Sequence, residues 1–247
     1  MFNLFSRKKN VQASLPYHTD LHSHLLPGID DGSPDAETSR QLVEQMQQWG
    51  ITRILATPHI VEDRFENTQE SIGDALAKLQ EQLDENAPRI ICSAEYRLDE
   101  NFIKNLRDET LLPLPGNYLL IENSFIQPFW DLKNLIFELQ VKGFKPILAH
   151  PERYPYYYRN KNIYADIRHT GCLFQINWLS LAGYYGKETR AVAHWLVNSG
   201  LVDLAGTDLH NMHHAQVITD YLNSREYRKI MEKLQLKNDW LFGEEQS

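Results

Sequence analysis

The sequence predicts an α/β protein closed, or nearly closed, into a barrel, and three observations carry that expectation. Short apolar runs bounded by turn residues alternate with longer stretches whose apolar residues fall three and four apart, so strands alternate with amphipathic helices. Alternation of this kind implies parallel strands joined by helical crossovers. Almost every strand-like run is followed by a polar residue able to bind a metal or a ligand: His22 and His24, then His59, Glu95, Glu122, His150, Asn177, and Asp208 with His210. A barrel brings such carboxyl ends together on one face, whereas an open sheet would string them along a crevice edge.

The first strand is expected over 17–21, running into Leu21-His22-Ser23-His24; side chains alternate along a strand, so both histidines project to the same side. A helix over 35–49 follows, with Pro34 near its start, where a missing N–H costs little, and Gly50 past its end suited to a left-handed cap. Strands at 53–56 and 90–94 flank a helix at 68–83, and a shorter helix is expected at 100–107. Strands at 118–121, 146–149, 173–176 and 201–205 then alternate with helices at 130–142, 161–169 and 187–198. That makes seven strands, one fewer than the usual eight, so some distortion of the barrel is expected.

With 247 residues and no Ser/Gly-rich or Pro-rich linker, residues 17–247 read as a single domain. Residues 1–16 read as a flexible extension; the weaker alternative is a membrane-surface contact through Phe2, Leu4 and Phe5 beside Arg7, Lys8 and Lys9. A formal net charge of −8 argues against general nucleic-acid binding. No apolar run is long enough to span a bilayer, and the opening residues lack a secretory h-region, so a cytoplasmic protein is expected. Cys92 and Cys172 lie in apolar strand segments and read as buried reduced thiols.

Nine residues at strand ends or in adjoining loops have metal-ligand chemistry: His22, His24, Asp31, His59, Glu95, Glu122, His150, Asp208 and His210. A single catalytic ion takes three or four protein groups, so nine suit two or three ions, with a carboxylate such as Glu95 bridging a pair. Imidazole with carboxylate and no thiolate fits manganese, iron or zinc. Four carboxylates against three divalent ions leave the pocket positive, which favours a phosphate ester. Arg153, in His150-Pro151-Glu152-Arg153, adds a guanidinium suited to bidentate phosphate recognition, unless it serves only as a structural ion pair.

Leu21-His22-Ser23-His24 with Gly28-Ile29-Asp30-Asp31-Gly32, Thr57-Pro58-His59, Ala94-Glu95, Ile121-Glu122, Ala149-His150-Pro151-Glu152-Arg153-Tyr154 and Thr207-Asp208-Leu209-His210-Asn211 together resemble the polymerase and histidinol phosphatase (PHP) superfamily. More narrowly, they are similar to the bacterial protein-tyrosine phosphatases of capsule and exopolysaccharide operons. The resemblance implies a distorted seven-stranded (β/α)7 barrel of PHP type with a trinuclear, commonly manganese-dependent site. It implies that His22, His24, Glu95 and Asp208 hold one metal, Glu95, Glu122 and His150 a second, and Asp31, His59 and His210 a third, with Arg153 binding phosphate. The implied partner is a bacterial tyrosine kinase whose tyrosine-rich tail is the substrate, in the control of polysaccharide synthesis or export. One departure is a second arginine that such proteins often carry after Asp-x-His-Asn; here Met212-His213-His214-Ala215 follows, leaving His213 or His214 as substitute donors or as surface histidines.

The expected chemistry is attack on phosphorus by a metal-bridging hydroxide, in line and without a phosphoenzyme, with Arg153 stabilising charge on the phosphoryl oxygens. Tyr154, Tyr156, Tyr157 and Tyr158 are expected as aromatic walls for a phenyl ring or as an ordinary surface loop. A thiol-dependent phosphatase is excluded, because Cys92 to Arg97 misses the C-x5-R spacing and Cys172 has no nearby arginine. A metal-dependent amidohydrolase also opens on H-x-H but often carries a modified lysine where Glu122 stands. Two alternatives stay open: a small-molecule phosphomonoesterase of histidinol-phosphate type, and a non-catalytic metal-binding module that docks a kinase.

Overall fold

A computed structural model describes residues 13–243. The extension expected at 1–16 lies outside the described residues up to position 12; beyond it, the buried Leu15 donates its N–H to the Trp49 carbonyl at 2.9 Å and joins the core. The strands are β1 (Thr19–Asp20), β2 (Arg53–Ala56), β3 (His59–Ile60), β4 (Arg89–Cys92), β5 (Glu95–Arg97), β6 (Tyr118–Glu122), β7 (Lys145–Ala149), β8 (Leu173–Asn177) and β9 (Leu204–Gly206). The helices are α1 (Ala36–Gln48), α2 (Gln69–Gln80), α3 (Glu100–Asp108), α4 (Leu132–Val141), α5 (Asn162–His169), α6 (Trp178–Ala182), α7 (Lys187–Asn198), α8 (Met212–Leu222), α9 (Arg225–Met231) and α10 (Asn238–Phe242).

All strand pairings are parallel, in a three-stranded sheet ordered β1-β2-β4 and a six-stranded sheet ordered β3-β5-β6-β7-β8-β9. The chain is thus an α/β protein of parallel sheets and helices. Among the described residues nine strands stand where seven were expected, because pairing resumes as β3 beyond the run expected at 53–56 and as β5 beyond the one expected at 90–94. At Thr57-Pro58 the proline has no N–H for the ladder, and β2 gives way to β3. At Ser93-Ala94, β4 gives way to β5. Pairing bridges both breaks: Ser93 N–H donates to Ala56 O at 2.9 Å and Glu95 N–H to Pro58 O at 3.0 Å. Beyond β1 and β9, Ser23 pairs in parallel with Leu209, Asp208 N–H donates to His22 O at 2.8 Å, and His24 N–H donates to Leu209 O at 3.0 Å.

Apolar side chains divide into two clusters. The larger lies between strands and helices and runs from Leu15 to Ile230, including Leu42, Val43 and Met46 of α1 and Leu135, Ile136 and Leu139 of α4. The smaller takes Leu21, Leu55, Leu120, Ile147 and Leu204 from successive strands, with Ile91 and Leu173 against it, and Phe242 of α10 closes its base by an edge-on contact with Tyr118. Trp240 in the same short helix points into solvent.

Helix starts follow their capping chemistry. Asp35 accepts from Thr38 N–H at 2.7 Å before α1, Thr68 and Ser71 form a reciprocal capping box before α2, and Asn211 accepts from His214 N–H at 2.9 Å before α8. Gly50 ends α1 with φ +92°, as a left-handed cap requires. Helices α6, α8, α9 and α10 have no counterpart in the sequence expectation. Two of them have five residues, and α8 opens on histidines that interrupt its apolar pattern. Among the described residues no helix is long and apolar enough to cross a membrane.

Candidate metal centre

The nine candidate ligands gather at the carboxyl ends of the strands. His22, His24, Glu95, Glu122, His150 and Asp208 are fully buried; His59 and His210 are slightly open, and the Asp31 side chain, 42% exposed, stands at the rim. Their donor atoms fall into overlapping sets, each within 4.8 Å: His24 with Asp31, His59 and His210; His22 with His24 and Glu95; His22 with His150 and Asp208; and Glu95 with Glu122 and His150. Glu95 is central, with Oε2 at 3.2 Å from His22 Nε2, 3.4 Å from His24 Nε2 and 3.1 Å from His59 Nδ1. Its other oxygen lies 3.0 Å from His150 Nε2.

Groups behind the ligands fix which nitrogen faces inward. Gln175 Oε1 accepts from His22 Nδ1 at 2.9 Å, and Gln175 is itself oriented because its amide donates to Asn177 Oδ1 at 2.7 Å. Asp30 accepts from His24 Nδ1 at 2.8 Å, and the Asp208 carbonyl accepts from His210 Nδ1 at 2.9 Å. With both Nδ1 atoms donating outward, the Nε2 lone pairs of His22 and His24 face each other at 3.1 Å. Two bare lone pairs at that distance repel unless positive charge sits among them. Glu95 Oε2 and His59 Nδ1, 3.1 Å apart, are buried without a hydrogen-bond partner. Divalent cations among these atoms would satisfy them, so the donor set fits a metal cluster.

Titration behaviour points the same way. Burial works against a charged His22, yet Glu95 and Asp208 raise its pKa to about 9. Burial also opposes ionisation of Glu95, but His22 and His59 hold it well below the ordinary carboxylate range. Burial, reinforced by the neighbouring charge of Glu95, pushes Glu122 up to about 8. Such a site calls for added positive charge, and a metal ion favours the deprotonated form of every group it touches.

Local backbone conformation serves this convergence. His150 and Asp208 have φ of +32° and +50°, a region that ordinary residues occupy only when their surroundings hold them there. Close approach demands two glycines: a Cβ on Gly32 would lie 2.0 Å from His24 O, and one on Gly206 would lie 2.8 Å from His22 Cβ.

A cavity of about 440 Å³ opens above the cluster, with Asp31, His59, Glu122, Asp208 and His210 in its floor. Arg153 forms one wall. Its Nη1 donates to Asp208 Oδ2 at 2.9 Å, and its guanidinium lies 4.1 Å from the Tyr185 ring centre and 4.6 Å from that of Phe125. It is therefore both an ion-pair partner and a cation facing the cavity. Tyr154 is placed elsewhere than on the expected aromatic wall: it is fully buried, donating to Ala149 O at 2.9 Å and accepting from Asn123 N–H at 3.0 Å. Tyr156, Tyr157 and Tyr158 are likewise absent from the lining, with Tyr156 bonded to Ser124 O and Tyr158 to Thr189. The aromatic walls are Phe125, Tyr184 and Tyr185. The run Tyr154–Tyr158 is drawn inward by two short 3-10 turns.

Sequence reasoning pointed to Asp30 and Asn177 without their orienting roles, and missed Gln175 and Arg97. Asp30 and Gln175 orient ligands, Asn177 donates to Asp208 Oδ2 at 2.6 Å, and Arg97 on β5 donates from Nε to Glu122 Oε2 at 2.6 Å while lining the cavity. Period-two alternation held a signal for Arg97, two residues beyond Glu95, and Gln175, two before Asn177. His214 lines the cavity, but burial lowers its pKa to about 4, so it does not replace an arginine as a cation near neutral pH. His213 is exposed. Burial pushes the Cys92 and Cys172 thiols up to about 11 and 12, and neither lines the cavity, which agrees with excluding a thiolate nucleophile.

Known proteins share this architecture. The chain is 31% identical over 217 residues to the tyrosine-protein phosphatase YwqE of Bacillus subtilis, covering 87% of this chain and 84% of that protein. It is 28% identical over 225 residues to a putative tyrosine-protein phosphatase CapC of Staphylococcus aureus, covering 89% and 88%. Crystal structures of YwqE and of CpsB from Streptococcus pneumoniae, described as metal-dependent tyrosine phosphatases, include a chain that superimposes with a TM-score of 0.77 at 29% identity, over 91% of this chain and 94% of that one. A family model for capsular polysaccharide synthesis proteins, CpsB/CapC, matches residues 18–240, essentially the whole span that builds the strands, the cluster and its cavity, so the chain belongs to the CpsB/CapC family.

Proposed function

We propose that this protein is a metal-dependent protein-tyrosine phosphatase. The observation that carries the reading is one cavity with the donor cluster as its floor and Arg153, between the Phe125 and Tyr185 rings, as its wall. Such a cavity accepts a phosphate and an aryl ring together. The relatives named above as tyrosine phosphatases support the same conclusion.

The nine ligands are read as holding three divalent ions, most simply manganese, with iron or zinc compatible with the same donors. Bound ions supply Lewis acidity, making water a nucleophile near neutral pH and offsetting charge on the phosphoryl oxygens. Arg153 presents a fork to the phosphoryl group and stays charged throughout. Phe125 and Tyr185 hold the Arg153 guanidinium between them and offer their cavity-facing edges to the phenyl ring. Glu95 and Asp208 stay ionised, and Gln175 and Asp30 keep the imidazoles turned inward. A phenol with a pKa near 10 leaves as phenolate at tolerable cost, so no dedicated acid is assigned.

The biological frame is read as dephosphorylation of a bacterial tyrosine kinase tail in the cytoplasm, controlling capsular or exopolysaccharide synthesis; the family supports it. The fold is read as one domain, a distorted barrel of seven staves in which β2 with β3 and β4 with β5 are each one broken stave. Pairing across both breaks, the Ser23–Leu209 bridge and the inner cluster fed by successive strands support that reading.

The test is hydrolysis of a phosphotyrosine peptide, histidinol phosphate and a phosphodiester by metal-stripped protein reloaded with manganese, with released phosphate quantified. Preference for the peptide is expected. Preference for histidinol phosphate would reassign the substrate, and no turnover with metal bound would favour a docking module.

A further inference from the structure

The metal cavity has two neighbouring hollows. Past Arg97 and Ser124 it meets a second hollow lined by Glu62, Asp99, Glu100 and Gln127, and those four residues also line a third, of about 750 Å³, that ends on Phe129 and Trp130. Through these shared lining residues the three hollows adjoin one another between the loop after β3, the start of α3 and the loop after β6, and together form the candidate channel. Two large apolar side chains stand unburied along it: Ile126, 89% exposed, on the cavity side and Trp130, 86% exposed, at the far end. A tryptophan so exposed at the end of a groove, beside Phe129, is the residue type enriched at the energetic centres of protein interfaces.

The path is also negative. Glu62, Asp63, Glu66, Asp99 and Glu100 line the wide hollow against only Lys104 and Arg107. Among the described residues no lysine or arginine lies within ion-pair distance of these five carboxylates. Partial desolvation and the charges of Asp99, Glu100 and Asp63 raise the Glu62 carboxyl above its ordinary value, as expected where negative charge has no local counterpart. At the other end, Arg97 and Arg153 face the metal cavity, each paired with a carboxylate of the cluster, Glu122 and Asp208. With divalent ions on those carboxylates the cavity becomes the phosphate end, and the acidic hollow is the basic-residue end.

We propose that this channel seats the polypeptide flanking the phosphotyrosine. With the phosphotyrosine in the metal cavity, the chain runs past Arg97 and Ser124, sets a lysine or arginine against Glu62 and Glu100, and lays an apolar side chain on Trp130. The inference rests on the phosphotyrosine reading and adds to it a preference for basic over acidic flanks.

The experiment uses the manganese-loaded full chain with two phosphotyrosine peptides of equal length, one with lysines and one with glutamates beside the phosphotyrosine, and with p-nitrophenyl phosphate as a substrate too small for the channel. The lysine peptide is expected to have a kcat/KM about tenfold higher, mostly through KM, with the difference shrinking as salt rises. Glu62→Gln with Glu100→Gln is expected to bring the two peptides together, and Trp130→Ala to raise KM for both, while p-nitrophenyl phosphate turnover stays unchanged. Equal kcat/KM for the two peptides in the unmodified protein overturns the channel and leaves the phosphatase standing. Hydrolysis of p-nitrophenyl phosphate with neither phosphotyrosine peptide cleaved overturns the protein-tyrosine reading itself.

Discussion

The Nε2 atoms of His22 and His24, 3.1 Å apart and both turned inward by partners on their Nδ1 atoms, set the chemistry of this protein at its smallest scale. Glu95→Ala removes the carboxylate that faces four imidazoles and is expected to lose metal and activity together, by more than about a hundredfold in turnover. Arg153→Ala is expected to keep full metal content and lose activity chiefly through weaker phosphate binding, raising KM and the inhibition constant of inorganic phosphate. Metal analysis beside steady-state kinetics separates the two, and metal loss in Arg153→Ala would show that its bond to Asp208 is its whole role. Gln175→Ala touches no substrate; freeing the His22 ring should weaken metal binding by about 10- to 100-fold, as for other partners of metal-bound histidines, with activity recovered at high manganese. The candidate ligands were legible as residue types at strand ends or in the adjoining loops. Their orienting partners were not, because Gln175 lies 153 positions from His22 and only folding sets one against the other.

At the scale of elements, two strands that break rather than run through bring His59 and Glu95 to the cluster, and two close approaches allow it. Gly206, at the end of β9, has His22 Cβ and the Gln175 amide where its own Cβ would be, at 2.8 Å each. Gly206→Ala is expected to push both aside, costing about 1–3 kcal/mol of stability as overpacking does and lowering manganese affinity alongside. Unchanged melting and metal affinity would mean that the strand shifts freely. The helix expected at 187–198 and the strand at 53–56 match the observed bounds, since caps and apolar spacing act within a few residues. The breaks at Pro58 and Ser93 were less legible: an apolar run reads the same whether or not the ladder kinks. The aromatic run Tyr154–Tyr158 carried no mark of its inward turn either, which depends on the Ala149 carbonyl and Asn123 N–H that Tyr154 meets inside.

For the whole molecule, the cluster is a concentration of buried charge that folding tolerates best with cations present. Chelation is expected to lower the melting temperature and manganese to restore it, since a ligand at about a hundred times its Kd adds about 2.7 kcal/mol; a melting curve indifferent to both would deny a metal centre. Alkali should also unfold the protein. Burial raises the phenols of Tyr96, Tyr157 and Tyr227 to about 12 from an ordinary value near 10. Between those values the unfolded chain loses protons that the folded one keeps, so stability present below pH 10 is lost as pH rises toward 12. Thermal melts from pH 8 to 11.5 check this, and a flat profile would contradict it. The α/β alternation, the nine candidate metal ligands and the candidate phosphate-binding Arg153 were legible in the sequence, because they rest on local periodicity and on the chemistry of side chains at strand ends. Tertiary structure alone decided the grouping of those ligands around Glu95, the replacement of the tyrosine run by Phe125, Tyr184 and Tyr185 as cavity wall, and the channel from Arg97 to Trp130. Each of these depends on contacts between segments far apart in the chain, and such contacts leave no periodic trace in a single sequence.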